Sequence, residues 1–296
     1  MTEQNWRDIN FTSFDGLNIY ARCYEASQPS GMAPVLCLPG LTRNSQDFHY
    51  LATHLSQQTE NQRDVYCIDL RGRGRSDYDR DWKNYTTTTE LRDVLDLTAI
   101  EGIHKASVIG TSRGGLIMMI MAAARPTLIE TAILNDIGPV IDTQGLLRIR
   151  SYAGSLPVVN NWSEACRIIR SINEKQFTHL SDEEWMIIAR QSFLEDEGRP
   201  IPSYDTELGK PLAEIDFTEP LPTAWPQFLA LSKFPLMVLR GENSDLLSAE
   251  TMQEMQERAP GMYGVTIENQ GHAPFFIGEE INNTIYDFLE KSGKPH

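Results

Sequence analysis

A serine between two glycines is the first feature of this sequence that could do chemistry. Gly110, Ser112 and Gly114 form a G-x-S-x-G pattern. The residues before Ser112, 105–109, mix apolar and β-branched side chains like a buried parallel strand, and 116–124 form an apolar run typical of a helix. A sharp strand-to-helix turn exposes a serine for attack, and the glycines leave room for its strained backbone. This context predicts that Ser112 is a nucleophile rather than a surface serine in a glycine-rich turn.

A serine hydroxyl is a weak nucleophile at neutral pH and needs a neighbouring base. His272 lies in a loop directly after a predicted strand over 263–268, from which an imidazole can reach back to Ser112. The other histidines lie in helical or connecting segments or at the chain end. We therefore predict that His272 is the base, against the alternative of a structural histidine.

Two aspartates compete for the acid that would orient His272. Asp245 follows a predicted strand over 235–240, and Asp136 follows one over 131–134. We prefer Asp245, because it follows the penultimate strand, and keep Asp136 as the alternative acid.

Alternating strands and helices must position these residues, and this alternation predicts an α/β fold. An Asp-Gly turn at 15–16 first predicts an antiparallel hairpin. Residues 141–234 then break the rhythm with predicted helices near 163–173 and 182–192 and many prolines between them. We predict a core domain over 1–140 and 235–296, with a helical cap over 141–234 that encloses the site. Large aromatic residues of the cap could line the pocket, but ordinary packing is the preferred interpretation: Trp162, Trp185, Phe193 and Trp225.

The composition limits the possible functions of the 296 residues. A net charge of −15 argues against nucleic-acid binding, so we expect the arginines of the 71–75 segment to pair with carboxylates or carbonyls. Residues 1–10 are polar and no run has the length of a membrane span, so we expect a cytoplasmic protein without a membrane partner. The four cysteines lack disulfide or metal-site spacing and are predicted to be small core residues. We expect no metal and no organic cofactor.

The chain resembles the α/β-hydrolase family, in particular its capped serine esterases and hydrolases. Four further segments carry the resemblance: 38–41 (LPGL), 69–76 (DLRGRGRS), 239–245 (LRGENSD) and 270–272 (QGH). The resemblance implies an α/β-hydrolase fold, with a mostly parallel central sheet flanked by helices and an inserted cap. It also implies an oxyanion hole formed by the backbone N–H groups of Leu41 and Arg113. The chain order Ser112, Asp245, His272 matches the nucleophile, acid and base order of this fold.

These features predict a serine hydrolase of the carboxylesterase type that acts on a small-molecule ester through an acyl-enzyme on Ser112. A serine rather than an aspartate at the turn excludes the epoxide hydrolase and haloalkane dehalogenase branches. A carbon-carbon bond hydrolase of meta-cleavage products and a lactonase remain alternatives within the same fold. A non-catalytic ligand-binding protein is the alternative from a different class. The oligomeric state and the natural substrate are not predicted.

Overall fold

A computed structural model describes residues 5–155 and 158–293, so residues 1–4 of the polar N-terminal segment lie outside the described residues. The described residues contain ten strands: β1 Arg7–Thr12, β2 Asn18–Tyr24, β3 Val35–Leu38, β4 Val65–Asp69, β5 Ala106–Thr111, β6 Ile129–Asn135, β7 Phe193–Asp196, β8 Arg199–Pro202, β9 Leu236–Gly241 and β10 Tyr263–Ile267.

Eight of these strands form one sheet in the order β1-β2-β4-β3-β5-β6-β9-β10. The β1–β2 hairpin is antiparallel, as the Asp-Gly turn predicts, and β2 also pairs antiparallel with β4. Every other neighbouring pair in this sheet is parallel. The predicted mostly parallel central sheet is therefore confirmed. Because parallel strands share a direction, the loops after β5, β6, β9 and β10 meet at one edge.

Ten α-helices accompany the strands in the described residues: α1 His49–Thr53, α2 Thr87–Ile100, α3 Arg113–Ala124, α4 Thr143–Ala153, α5 Trp162–Asn173, α6 Asp182–Ser192, α7 Lys210–Ala213, α8 Trp225–Leu231, α9 Ala249–Arg258 and α10 Glu279–Ser292.

Helices cover both faces of the sheet, which explains its continuous apolar strands. In β3, Val35 and Cys37 join a core cluster with residues of α1 and α10. Leu36 and Leu38 point to the other face and join a cluster with residues of α2, α3, α8 and α9. A strand buried on both faces has no polar side, so its sequence lacks the alternation of a half-exposed strand.

Residues 141–234 lie between β6 and β9 and carry α4 to α8. The predicted helices near 163–173 and 182–192 are confirmed as α5 and α6, and α6 begins at Ser181 with a capping box to Glu184. An antiparallel β7–β8 hairpin is present as well, although its sequence pattern did not indicate one. Trp185 and Phe193 pack in a separate apolar cluster of this region, and Phe275 of the core joins the same cluster.

The arginines of the 71–75 segment pair with carboxylates and backbone carbonyls, as predicted. Arg71 is fully buried and contacts three carboxylates, whereas Arg75 is half exposed and pairs with Asp8. Arg73 contacts Glu90 and two backbone carbonyls. The basic segment is therefore neutralised locally.

Three of the cysteines are buried, at positions 23, 37 and 67, which confirms the prediction of core packing for these three. Cys166 is only partly buried. Within residues 5–155 and 158–293, no helix combines the length and the apolar character needed to cross a membrane.

Candidate active site

Ser112 occupies the turn between β5 and α3 with a φ of +50°. This left-handed conformation is strained for a residue with a side chain, and such strain is typical of functional positions. The Ser112 N–H donates to the Asn135 carbonyl at 3.0 Å, which ties the turn to the end of the neighbouring strand β6. The serine is thereby fixed at the edge of the sheet where the strand ends meet.

Close packing explains why glycines flank Ser112. A Cβ atom on Gly110 would lie 2.6 Å from the Gly115 nitrogen, and one on Gly114 would lie 2.1 Å from the Leu38 carbonyl oxygen. Both distances are far shorter than van der Waals contact. The predicted need for residues without side chains at these two positions is confirmed.

His272 lies in the loop after β10, and its ring bridges Ser112 and a carboxylate. Nε2 is 2.9 Å from Ser112 Oγ, and Nδ1 is 2.8 Å from Asp136 Oδ2. The His272 backbone N–H donates to Gln176 Oε1 at 3.1 Å, so a side chain from the 141–234 region holds this loop. The imidazole is only 6% exposed, which limits its motion and its access to bulk water.

The carboxylate against His272 is that of Asp136. Asp136 follows β6 directly and is completely buried. Its Oδ1 accepts a hydrogen bond from the Gly241 N–H at 2.8 Å, and its Oδ2 accepts one from Ser244 Oγ at 2.5 Å. Neutral donors thus surround the buried carboxylate without cancelling its charge, which leaves that charge available to an imidazolium.

The prediction that Asp245 rather than Asp136 orients His272 is wrong, because the structure places the Asp136 carboxylate against the His272 ring. Asp245 lies beyond the end of β9, where the turn directs its side chain toward helix α4. There Arg148 Nε and Nη2 donate to its two oxygens at 2.6 and 3.0 Å. Burial acts to raise the pKa of Asp245, but hydrogen bonds from Arg148 and Gln176 outweigh it and hold this pKa below its ordinary value. Asp136 lies closer to Ser112 than Asp245 does in the strand order, because β6 pairs directly with β5, the strand that Ser112 follows.

The two predicted oxyanion donors stay predictions, although their surroundings are compatible with the role. Arg113 is the first residue of α3, and the first amides of a helix have no partner within it. Leu41 follows Gly40 and lines the same cavity as Ser112. The Arg113 side chain points elsewhere and donates to Glu90 Oε2 at 2.6 Å and the Tyr85 carbonyl at 2.8 Å.

Ser112 and His272 open into a cavity that we call the Ser112 cleft. Its empty space is about 920 Å³, including the mouth that opens to solvent. Residues outside 141–234 contribute polar and aromatic lining side chains, among them Arg43, Asp47 and Phe275. The 141–234 region contributes mainly apolar ones, among them Ile149, Tyr152, Ile169, Ile172 and Tyr204. The four large aromatic residues singled out in the sequence are not among the lining residues, so ordinary packing is confirmed for them.

Several contributors to the site were not found from the sequence. Ser244 and Gln176 act through hydrogen bonds to Asp136 and to the His272 backbone, and nothing in their local sequence indicates these distant partners. Arg43 and Asp47 form an ion pair at 2.7 Å in the wall of the cleft. Their spacing of four residues was a detectable signal for a helical ion pair, but not for its place beside Ser112.

Comparison with known proteins identifies the family of the chain. Residues 33–279 match the family model described as alpha/beta hydrolase fold. The chain belongs to this family. A 3-hydroxybutyrate-oligomer hydrolase from Cupriavidus necator is 30% identical over 263 residues, which cover 86% of this chain and 87% of that protein. Family membership supports a hydrolase as the general class of enzyme.

Solved structures agree with this placement. An alpha/beta hydrolase from Novosphingobium aromaticivorans has a TM-score of 0.87 and 40% sequence identity, covering 97% of this chain and 99% of that one. The structure of E-2-(acetamidomethylene)succinate hydrolase, with a TM-score of 0.77 and 20% identity, covers 96% of this chain and 99% of that one. At this identity the second likeness shows the fold alone.

Proposed function

We propose that this α/β hydrolase is a serine carboxylesterase with Ser112 as nucleophile, His272 as base and Asp136 as acid. One observation carries the proposal: the Ser112 Oγ, His272 and Asp136 side chains form a continuous hydrogen-bonded chain at the strained turn. A proton on Nδ1 donated to Asp136 leaves Nε2 free to accept the proton of Ser112.

The reaction divides into acylation and deacylation. Ser112 Oγ attacks the ester carbonyl while its proton passes to His272 Nε2, and the Leu41 and Arg113 N–H groups stabilise the oxyanion. The alcohol then leaves with the proton from His272, and an acyl-enzyme remains on Ser112. Water attacks this acyl group and gives its proton to His272, which passes a proton to Ser112 Oγ as the bond to the acyl carbon breaks and the carboxylic acid is released. The chemistry needs no cofactor.

The cleft and one relative support an ester as the substrate. Apolar side chains such as Ile149, Ile169 and Ile172 suit a small to medium acyl group, and its fit sets the chain-length preference. The Cupriavidus necator relative is named as a hydrolase of 3-hydroxybutyrate oligomers, and hydroxy acids are joined into oligomers by ester bonds.

Release of 4-nitrophenol from esters of increasing acyl length tests the proposal. We expect a preferred chain length for the native protein and a loss of about 10⁴-fold or more in kcat for Ser112→Ala. A fluorophosphonate should label the native protein on Ser112 and leave the variant unlabelled. If the native protein turns over no ester and is not labelled, the esterase assignment fails and ring-cleavage dienoates become the substrates to examine.

A further inference from the structure

The wall of the Ser112 cleft contains a partly buried cationic side chain, that of Arg43, whose hydrogen bonding is incomplete. Arg43 Nε lies 2.9 and 2.7 Å from the two oxygens of Asp47, and its guanidinium carbon is 5.0 Å from the centre of the Phe275 ring. Arg43 Nη2 is buried and has no hydrogen-bond partner. Of the described side-chain atoms that are buried and lack a hydrogen-bond partner, it is the only one that belongs to a residue lining the cleft.

Arg43 is close to the reacting serine. Its Cγ lies 3.5 Å, and Ser112 Cβ lies 3.8 Å, from the position that a Cβ atom on Gly40 would take. The stem of Arg43 and the nucleophile are therefore neighbours across Gly40. A molecule that presents an ester carbonyl to Ser112 can reach the guanidinium with a short chain.

Arg71, a completely buried arginine of this chain, shows which partners a guanidinium can bind. Arg71 binds Asp93 through Nε and Nη2, and its Nη1 and Nη2 also donate to the two oxygens of Asp15 at 2.8 and 3.1 Å. A guanidinium that binds one carboxylate on its Nε side can therefore bind a second carboxylate at its outer edge. In Arg43 the Nε side is filled by Asp47, and the outer edge includes the unpartnered Nη2.

We propose that Arg43 anchors a free carboxylate of the substrate, so that the preferred ester is the monoester of a dicarboxylic acid or another ester bearing one carboxylate near the scissile bond. The inference rests on the proposed function and names its substrate class. The Arg43 side chain is 19% exposed and lines the cleft, so a substrate carboxylate can form a charge-assisted hydrogen bond with its guanidinium that is stronger than the bond of a neutral ester carbonyl. The cation–π contact with Phe275 helps to hold the guanidinium in the wall of the cleft.

Matched esters test the anchor. The acidic probes are the mono-4-nitrophenyl esters of glutaric and adipic acid, and each neutral probe carries a methyl ester on the second carboxyl. We expect the native protein to prefer the better acidic probe by about tenfold to a hundredfold in kcat/KM, after subtraction of the uncatalysed rate. Arg43→Gln should abolish the preference, Arg43→Lys should keep part of it, and Arg170→Gln, which removes an exposed guanidinium of α5, should leave it intact.

Two designs protect the test from misfolding and from failure of the esterase assignment. Arg43→Gln leaves the mostly buried Asp47 without its partner, so the double variant Arg43→Gln/Asp47→Asn removes both charges together. The ratio of the two rates within one variant is also independent of the folded fraction. Binding of monomethyl glutarate to Ser112→Ala, measured by calorimetry, needs no turnover and should weaken about tenfold or more when Arg43→Gln is added.

The outcomes separate the two ideas. Hydrolysis of neutral and acidic probes at equal rates would overturn the anchor and leave the esterase assignment in place. A preference for acidic probes that survives in Arg43→Gln would also overturn it. Absence of any hydrolysis, together with Arg43-dependent binding of monomethyl glutarate, would keep the anion site and reject the esterase.

Discussion

The loops after β6 and β9 each present an aspartate at the same edge of the sheet, and they use it differently. Asp136 is fully buried, accepts hydrogen bonds from uncharged groups of the protein and touches His272. Asp245 is partly exposed and its charge is cancelled by Arg148 of α4. The carboxylate whose other partners are neutral, Asp136, can orient His272 and stabilise its charged form. The carboxylate paired with a cation, Asp245, instead connects the loop after β9 to α4.

The largest expected effect distinguishes these two carboxylates directly. Asp136→Asn should lower kcat by about 10³-fold to 10⁴-fold, because the amide can no longer hold the productive tautomer of His272 or stabilise its charged form. Asp245→Asn is the matched control and should stay within about threefold of the native rate, because Asp245 lies against Arg148. Steady-state ester hydrolysis by both variants gives the comparison. The acid assignment is wrong if Asp245→Asn is the inactive variant and Asp136→Asn retains activity.

A smaller effect is expected at Ser244, which connects the two loops. Its hydroxyl donates to Asp136 Oδ2 at 2.5 Å and also accepts the Leu246 and Leu247 N–H groups. Ser244→Ala removes a hydrogen bond to a charged group, so kcat should fall about tenfold with little change in KM. Ser244→Thr keeps the hydroxyl and should restore most of the rate.

An unchanged kcat in Ser244→Ala would mean that the Gly241 N–H alone holds Asp136 in position. A rise in KM without a fall in kcat would instead place the effect of Ser244 on the shape of the cleft.

The sequence predicted the site well wherever local chemistry decides the structure. Only glycine fits at positions 110 and 114 on either side of Ser112, because a Cβ atom at either position would collide with backbone atoms. His272 follows a strand whose limits are visible in the sequence. Residues such as 35–38 show as an uninterrupted apolar run because both sheet faces are covered.

The sequence predicted the structure less well where contacts between residues far apart in the chain determine it. Asp136 and Asp245 both follow strands, and the choice between them depends on where Ser244, Gly241 and Arg148 lie in space. The β7–β8 hairpin was missed because Pro200 and Pro202 resemble connecting segments, although an edge strand tolerates proline. Arg43 resembles a surface ion-pair partner until the fold places it beside Ser112.

The smallest expected effect concerns the stability that the Asp245–Arg148 pair contributes. Because the folded pKa of Asp245 is lower than the unfolded value, its contribution is present above the unfolded pKa and is lost as the pH falls through the folded pKa. At pH 7 Asp245→Asn should therefore lower the free energy of unfolding by about 1–2 kcal/mol, since the pair is only partly exposed. Urea unfolding at a series of pH values should show this difference shrinking below about pH 4. Arg148→Gln should cause a similar loss, and combining both substitutions should add little to either, because each removes the same interaction. A difference that is constant across the pH series would show that the Asp245 side chain stabilises the protein through packing or neutral hydrogen bonding rather than through its charge.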